Sequence, residues 1–312
     1  MMWLTLLALA CSTWRCSVPH GDDTPVGYYL YTPANPSQPQ KIQLDDTEAI
    51  QASHFDVRRP TKIIIHGFSK SYLEIPNKEI RTAYQARGAY NIISMDWSEV
   101  AALNYVDTKP LVPLVGIQCA RFVRFLAREF GLDLADLVLV GHSMGAHVAG
   151  FCGKELQKIS RGEMRLGNIV ALEAALPLYR YANPHARLSN TDADYVMAIH
   201  SNGLRKGFLA PLGHADFYAN GGQKQPGCGV DLSGHCAHAR VVYLYAEAVQ
   251  QRTSFAPFGH CPRYADLLVS LGRCQELTGD LVQLGDPLEV SQVKGIFTFE
   301  TNPWSPYGRP LA

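Results

Sequence analysis

The chain has 312 residues, 47% hydrophobic and 18% charged, with 28 basic side chains balanced by 28 acidic ones. That length suits one large α/β domain or two small ones, and the apolar content excludes a disordered or fibrous protein. Zero formal charge and the lack of any long basic run exclude nucleic acid as a partner and leave any lipid contact to be mainly apolar.

The first apolar segment, Met1 to Ala10 (MMWLTLLALA), is far short of the roughly 20 residues of a membrane-crossing helix. It closes on Ala8-Leu9-Ala10, a small-x-small pattern suited to signal peptidase, although no Lys or Arg supplies the usual basic start. We read it as a secretory signal, followed by an N-terminal segment over 11–25 and one domain over 26–312. Eight Cys agree with an oxidising, extracellular destination. Asn35-Pro36-Ser37 is blocked as a sequon by its proline, so no N-glycosylation is expected. Short β-branched or aromatic runs predict strands at 28–32, 62–65, 91–95, 137–140, 169–172 and 195–199. Several are nearly continuous apolar runs, as in parallel strands buried on both faces. Helical periodicity lies between them. Over 117–130, Phe122, Phe125, Leu126 and Phe130 fall at helical spacing before Gly131 stops the helix. This alternation, without internal repeats, predicts a single α/β domain with a mostly parallel central sheet flanked by helices.

The strand Leu137-Val138-Leu139-Val140 runs into Gly141-His142-Ser143-Met144-Gly145. G-x-S-x-G between a strand and a helix puts the serine on a sharp turn, where glycines remove clashing side chains and the hydroxyl projects above the sheet. Small residues from Ala146 onward let the following helix lie close, with the positive end of its dipole beneath a developing oxyanion. Ser143 is therefore the candidate nucleophile. In an α/β-hydrolase the partners of such a serine follow in the order Asp/Glu, then His. The next edge strand, 168–172, ends at Glu173, and His238 follows in Cys236-Ala237-His238-Ala239-Arg240. Glu173 either orients the imidazole or caps a turn. One oxyanion amide is that of Met144; the other comes from the turn after Ile63-Ile64-Ile65-His66, where Gly67 lets the Phe68 amide face a reacting carbonyl.

Tyr29-Leu30-Tyr31-Thr32, Ile65-His66-Gly67-Phe68, Asp96-Trp97-Ser98, the Gly141 to His147 stretch, Gly213 to Tyr218 with Asn220-Gly221-Gly222, and Cys236 to Arg240 together resemble the pancreatic lipase family. The likeness is greatest to its secreted phospholipase A1 and insect lipase branch, and it covers nearly all of the chain after residue 25. It implies the α/β-hydrolase fold, a nucleophile at Ser143, a base at His238 and oxyanion amides at Phe68 and Met144. The family's catalytic aspartate falls on Glu173. Two stretches depart from the family. Where it reads Gly-Leu-Asp-Pro-Ala, this chain has Ala171-Leu172-Glu173-Ala174-Ala175. Glutamate is one methylene longer, and loss of the following proline is the expected compensation. In the stretch that resembles the family's calcium loop, Pro184 to Asp192, only Arg187 and Asp192 keep the pattern, so no tight metal is expected. His142 and His147 are read as packing residues.

The resemblance makes Cys228 and Cys236 the disulfide that bounds the lid. Only Gly229 to His235 lies between them, too short for the amphipathic helix that covers a triacylglycerol lipase. Unless the loop is merely structural, the site is open enough for a phospholipid headgroup to stay in water. Cys261 and Cys274 are expected to form a second local bridge; Cys119 and Cys152 either pair or stay as buried thiols, and Cys11 and Cys16 have no assignment. The sequence ends soon after a strand-like run at 295–301, so neither the family's β-sandwich nor a colipase partner is expected. The reading is a secreted, cofactor-independent carboxylic ester hydrolase with a Ser143-His238-Glu173 triad, cleaving the sn-1 ester of phospholipids at a membrane or lipid interface. The alternatives are a neutral lipid lipase or general esterase, and a lipid-binding protein impaired by its altered acid loop.

Overall fold

The computed structural model describes residues 24–251, 255, 257–277 and 282–309. The expected signal segment, with Cys11 and Cys16, lies outside the described residues. Within them one 11-stranded sheet forms from β1 (Gly27–Tyr31), β2 (Gln40–Ile42), β3 (Thr61–Ile65), β4 (Asn91–Asp96), β5 (Leu137–His142), β6 (Asn168–Leu172), β7 (Tyr195–His200), β8 (Ala215–Ala219), β9 (Phe258–Cys261), β10 (Gln275–Glu276) and β11 (Gly295–Phe299). Their order is β10-β9-β11-β8-β7-β6-β5-β3-β4-β1-β2. β3 to β8 and β11 pair in parallel, and antiparallel pairs extend both margins. The expected mostly parallel sheet is therefore present.

Alternation along the strands feeds two cores. Ile63, Ile65, Leu137 and Leu139 join the layer built on the helices Val112–Phe130 and Met144–Ile159. Ile64, Val138 and Val140 join the layer of Asn77–Arg87 and His235–Gln250. With both faces dry, an interior strand has no polar side to show, which is why these segments read as unbroken apolar runs.

Three expectations change in detail. β6 is not an edge strand: it pairs β5 on one side and β7 on the other, and all of Asn168–Leu172 is buried. The helix expected over 117–130 begins at Val112, with Pro113 in a first turn whose amides need no helical partner. Its stop at Gly131, with φ 73°, is as expected. The run at 295–301 contributes only Gly295–Phe299, placed between β8 and β9.

After β3 the chain lays β4 on one side, then crosses back to lay β5 on the other. Such a reversal opens a crevice at the carboxyl ends of the two strands, where the Gly67 turn and Ser143 both lie.

Near the opposite, amino end of β3, Lys62 is fully buried, its Nζ 2.5 Å from Asp286 Oδ2 and about equally far from the Tyr84 and Tyr90 rings, at 5.2 and 5.1 Å. The two charges touch without hydrogen-bond geometry, so Coulomb attraction and the ring faces hold the ammonium. Burial pushes its pKa down, and Asp286 opposes that push. Lys62→Met leaves the Asp286 charge buried alone and is expected to lower the unfolding free energy by about 3–5 kcal/mol in urea titrations, with most of it regained in Lys62→Met/Asp286→Leu. A loss below about 1 kcal/mol in the single variant would contradict this account.

Candidate active site

Ser143 stands between β5 and the Met144–Ile159 helix with φ 57° and ψ −120°, a conformation that non-glycine residues rarely adopt. Its surroundings over-determine it. Ser143 N donates to Leu172 O at 3.0 Å, and Ala175 N donates to Ser143 O at 3.3 Å, pinning the turn to the end of β6. A β-carbon on Gly145 would lie 2.5 Å from His66 O; one on Gly67 would lie 3.0 Å from both His142 O and Ser143 Cβ. The glycines therefore let the turn after β3 press onto the serine turn. Among the described residues neither the Phe68 nor the Met144 amide has an acceptor. The Phe68 ring meets Tyr105 edge-on at 5.1 Å, and the Tyr105 hydroxyl donates to Pro177 O, making an aromatic wall beside the serine.

His238 lies in the first turn of the His235–Gln250 helix, its amide donating to Gly234 O at 3.0 Å. His142 braces it: His142 Nε2 is 3.1 Å from His238 O, and the rings are 4.8 Å apart. Because a carbonyl only accepts, the proton of His142 resides on Nε2. Burial lowers the pKa of His142 to about 4. Burial likewise pushes His238 well below the usual imidazole value, so both rings are neutral at pH 7. The expected Cys228–Cys236 and Cys261–Cys274 bridges are formed, while Cys119 and Cys152 are buried thiols. The loop between Cys228 and Cys236 is tied down. Asp231 Oδ2 accepts from Ala237 N at 2.8 Å, and Arg205 donates to Asp231 O.

Glu173 is fully buried, with φ 51°, and its amide donates to Ile199 O at 2.9 Å. Its Oε2 accepts from Ser201 N, from Ser201 Oγ at 2.7 Å and from Asn202 N at 2.7 Å. Its Oε1 is buried without a partner, and so is His238 Nδ1. The structure thus brings Ser143, Glu173 and His238 to one end of the sheet but leaves the expected acid–imidazole bond open. Ser201 and Asn202 are not among the sequence candidates, because backbone donors leave no mark in a sequence.

His147 donates to Ala175 O at 2.7 Å, accepts from Leu188 N at 3.0 Å and stacks on Tyr179, a packing residue as read. His142 is more than packing, since it holds the His238 backbone. In the Pro184 to Asp192 stretch, Asp192 accepts from the Lys154 ammonium, Ser189 N and Ser189 Oγ, so the cation beside it belongs to the chain itself.

The family model described as Lipase matches residues 12–276. This chain belongs to the lipase family. It is 33% identical over 264 residues to a phospholipase A1 member A of Bos taurus, covering 81% of this chain and 54% of the relative. It is 32% identical to an inactive pancreatic lipase-related protein 1 of Mus musculus (77% and 54% covered), and 31% identical to a pancreatic triacylglycerol lipase of Ictidomys tridecemlineatus (81% and 57%). The chain thus spans little more than half the length of these relatives. In this lipase-family chain the buried Glu173 has a measurable signature. Burial raises the Glu173 pKa from 4.5 to about 7, opposed by the His200 charge and the Ser201 and Asn202 donors. The folded state then holds a proton that the unfolded state has released, so Glu173 reduces stability progressively as pH rises from about 4.5 to 7. Comparing thermal midpoints across that range, we expect Glu173→Gln to remove part of the decline; the same decline in both proteins would contradict the shift.

Proposed function

We propose that this lipase-family chain is a secreted serine carboxylic ester hydrolase that cleaves the sn-1 ester of phospholipids. What carries the reading is the surroundings of Ser143: a strained strand-to-helix turn, two nearby amides without acceptors among the described residues, and a neutral imidazole on the His235–Gln250 helix. His238 Nε2 takes the serine proton as Oγ attacks the acyl carbon. The Phe68 and Met144 amides receive the oxyanion, and His238 returns the proton to the leaving lysophospholipid. Water, deprotonated by the same imidazole, then releases the fatty acid. Glu173 holds His238 in the tautomer with its proton on Nδ1 and stabilises the imidazolium. Leaving Glu173 Oε1 and His238 Nδ1 buried and unpaired costs about 1–3 kcal/mol each, and a bond between them removes both terms. Apo enzymes often hold such bonds long and tighten them with substrate.

The lid loop supports a phospholipid over a triacylglycerol. It is short and closed by a disulfide, and Asp231 fastens it to the helix bearing His238, so no large cover has to swing away. The two disulfides suit an oxidising, extracellular compartment. A second reading, a lipid-binding protein without catalysis, is favoured by the open Glu173–His238 pair and by the likeness to an inactive relative.

Labelling with a fluorophosphonate separates the two readings. The purified protein is expected to label at one site, and Ser143→Ala to abolish it; a folded wild type that does not label favours the binding reading. Phosphatidylcholine vesicles are expected to be cleaved faster than a triacylglycerol emulsion, with no jump in rate at the oil interface; the reverse order assigns a neutral lipid lipase. Glu173→Ala is expected to lower kcat by up to about 10⁴ while KM changes little. Unchanged turnover in that variant would remove Glu173 from the mechanism.

A further inference from the structure

We propose that Gly207 is a positioning residue that lets a glutamate serve as the acid of this site. The inference rests on the triad reading above and explains how the chain accommodates the extra methylene. One oxygen of Glu173 occupies the cradle of Ser201 and Asn202 donors, so the other must project on the opposite side. There it meets the bare Cα of Gly207. A β-carbon at that position would lie 1.6 Å from Glu173 Oε1, 2.5 Å from its carboxyl carbon and 2.8 Å from its Cγ. Alanine could not stand there with the carboxylate in place.

Gly207 is not required by its backbone. It is absent from the residues with positive φ, so an L-residue could adopt its conformation. Nor can it slide away. Ala175 and Gly207 form an antiparallel bridge, Leu176 N donates to Lys206 O at 2.8 Å, and Phe208 N donates to Ala174 O at 3.0 Å. The strip just after Glu173 is thus laced to both sides of Gly207. What this glycine supplies is space for one carboxylate oxygen, and a shorter acid would leave that space empty. Ser201 carries the result toward the imidazole: its hydroxyl, 2.7 Å from Glu173 Oε2, is also 2.8 Å from Ala237 O, the carbonyl just before His238. The compensation at Gly207 lies across the loop from the longer acid.

The test is a double-substitution cycle read with a soluble ester and by the rate of fluorophosphonate labelling. Gly207→Ala is expected to lower kcat by about 100-fold or more with KM within about twofold, because it displaces the acid and leaves substrate binding alone. Glu173→Asp alone is expected to lose less than about tenfold, and adding Gly207→Ala to it to change kcat by less than about threefold. The steric claim is overturned if Gly207→Ala keeps kcat within about threefold of wild type, or costs the same factor beside aspartate as beside glutamate. Should Gly207→Ala fail to fold, the cycle is read from thermal midpoints: Glu173→Asp/Gly207→Ala folding like Glu173→Asp supports the proposal, and its failure to fold overturns it. Failure of the triad reading looks different. Full labelling of Ser143→Ala, or full turnover by Glu173→Ala, would sink the triad whatever the cycle gives.

Discussion

With Ile63 and Ile65 turned into one core and Ile64 into the other, the interior strands have no wet face, and polar side chains can be presented only where strands stop. The site residues that the sheet presents obey this constraint, while His238 comes from a helix. Gly67 and Phe68 follow β3, Ser143 follows β5, Glu173 follows β6, and Ser201 and Asn202 follow β7. The reversal of winding between β3 and β5 decides which two ends meet, and the absence of side chains on Gly67 and Gly145 lets them close to contact. Small residues here are a requirement of backbone approach, and the strained φ of Ser143 is its consequence.

That same burial sets the electrostatics. A carboxylate taken fully out of water gains protons unless donors replace the water, and three donors on Glu173 Oε2 do so only partly. The imidazoles respond in the opposite sense, losing protons on burial, so His142 and His238 are both neutral beside an acid poised near 7. Burial leaves Glu173 Oε1 and His238 Nδ1 each without a hydrogen-bond partner. A surface carboxylate would be satisfied by solvent instead.

Much of this was legible in the sequence, and the pattern of misses is physical. The parallel core strands, the helix stop at Gly131 and the serine turn depend on neighbours within a few residues, and each left a local pattern. β6 was misplaced at an edge because periodicity reports burial, whereas position in a sheet depends on which strands pair. Short margin strands such as β10, two exposed residues, carry too little pattern to notice. In the site, Ser143, Glu173 and His238 were nameable from residue type and order. Their support was not: the Ser201 and Asn202 amides belong to every sequence, the brace from His142 to His238 O spans 96 residues, and the role of Gly207 depends on the length of a side chain in another loop.

The short loop before His238 ties access to chemistry. Asp231, inside the disulfide loop, accepts the Ala237 amide in the first turn of the helix that carries His238. Helix N-termini expose unpaired donors and a positive dipole end, so this carboxylate does the work of a cap on a helix whose own cap residue, Gly234, has no side chain to offer. A loop that swung aside on meeting lipid would withdraw that acceptor and loosen the turn holding His238. Arg205 reaches the same loop from the segment after β7, so movement would also disturb the strand end that cradles Glu173. Moving the loop would therefore cost these hydrogen bonds, and within it Val230 and Leu232 stand in solvent, 87% and 81% exposed.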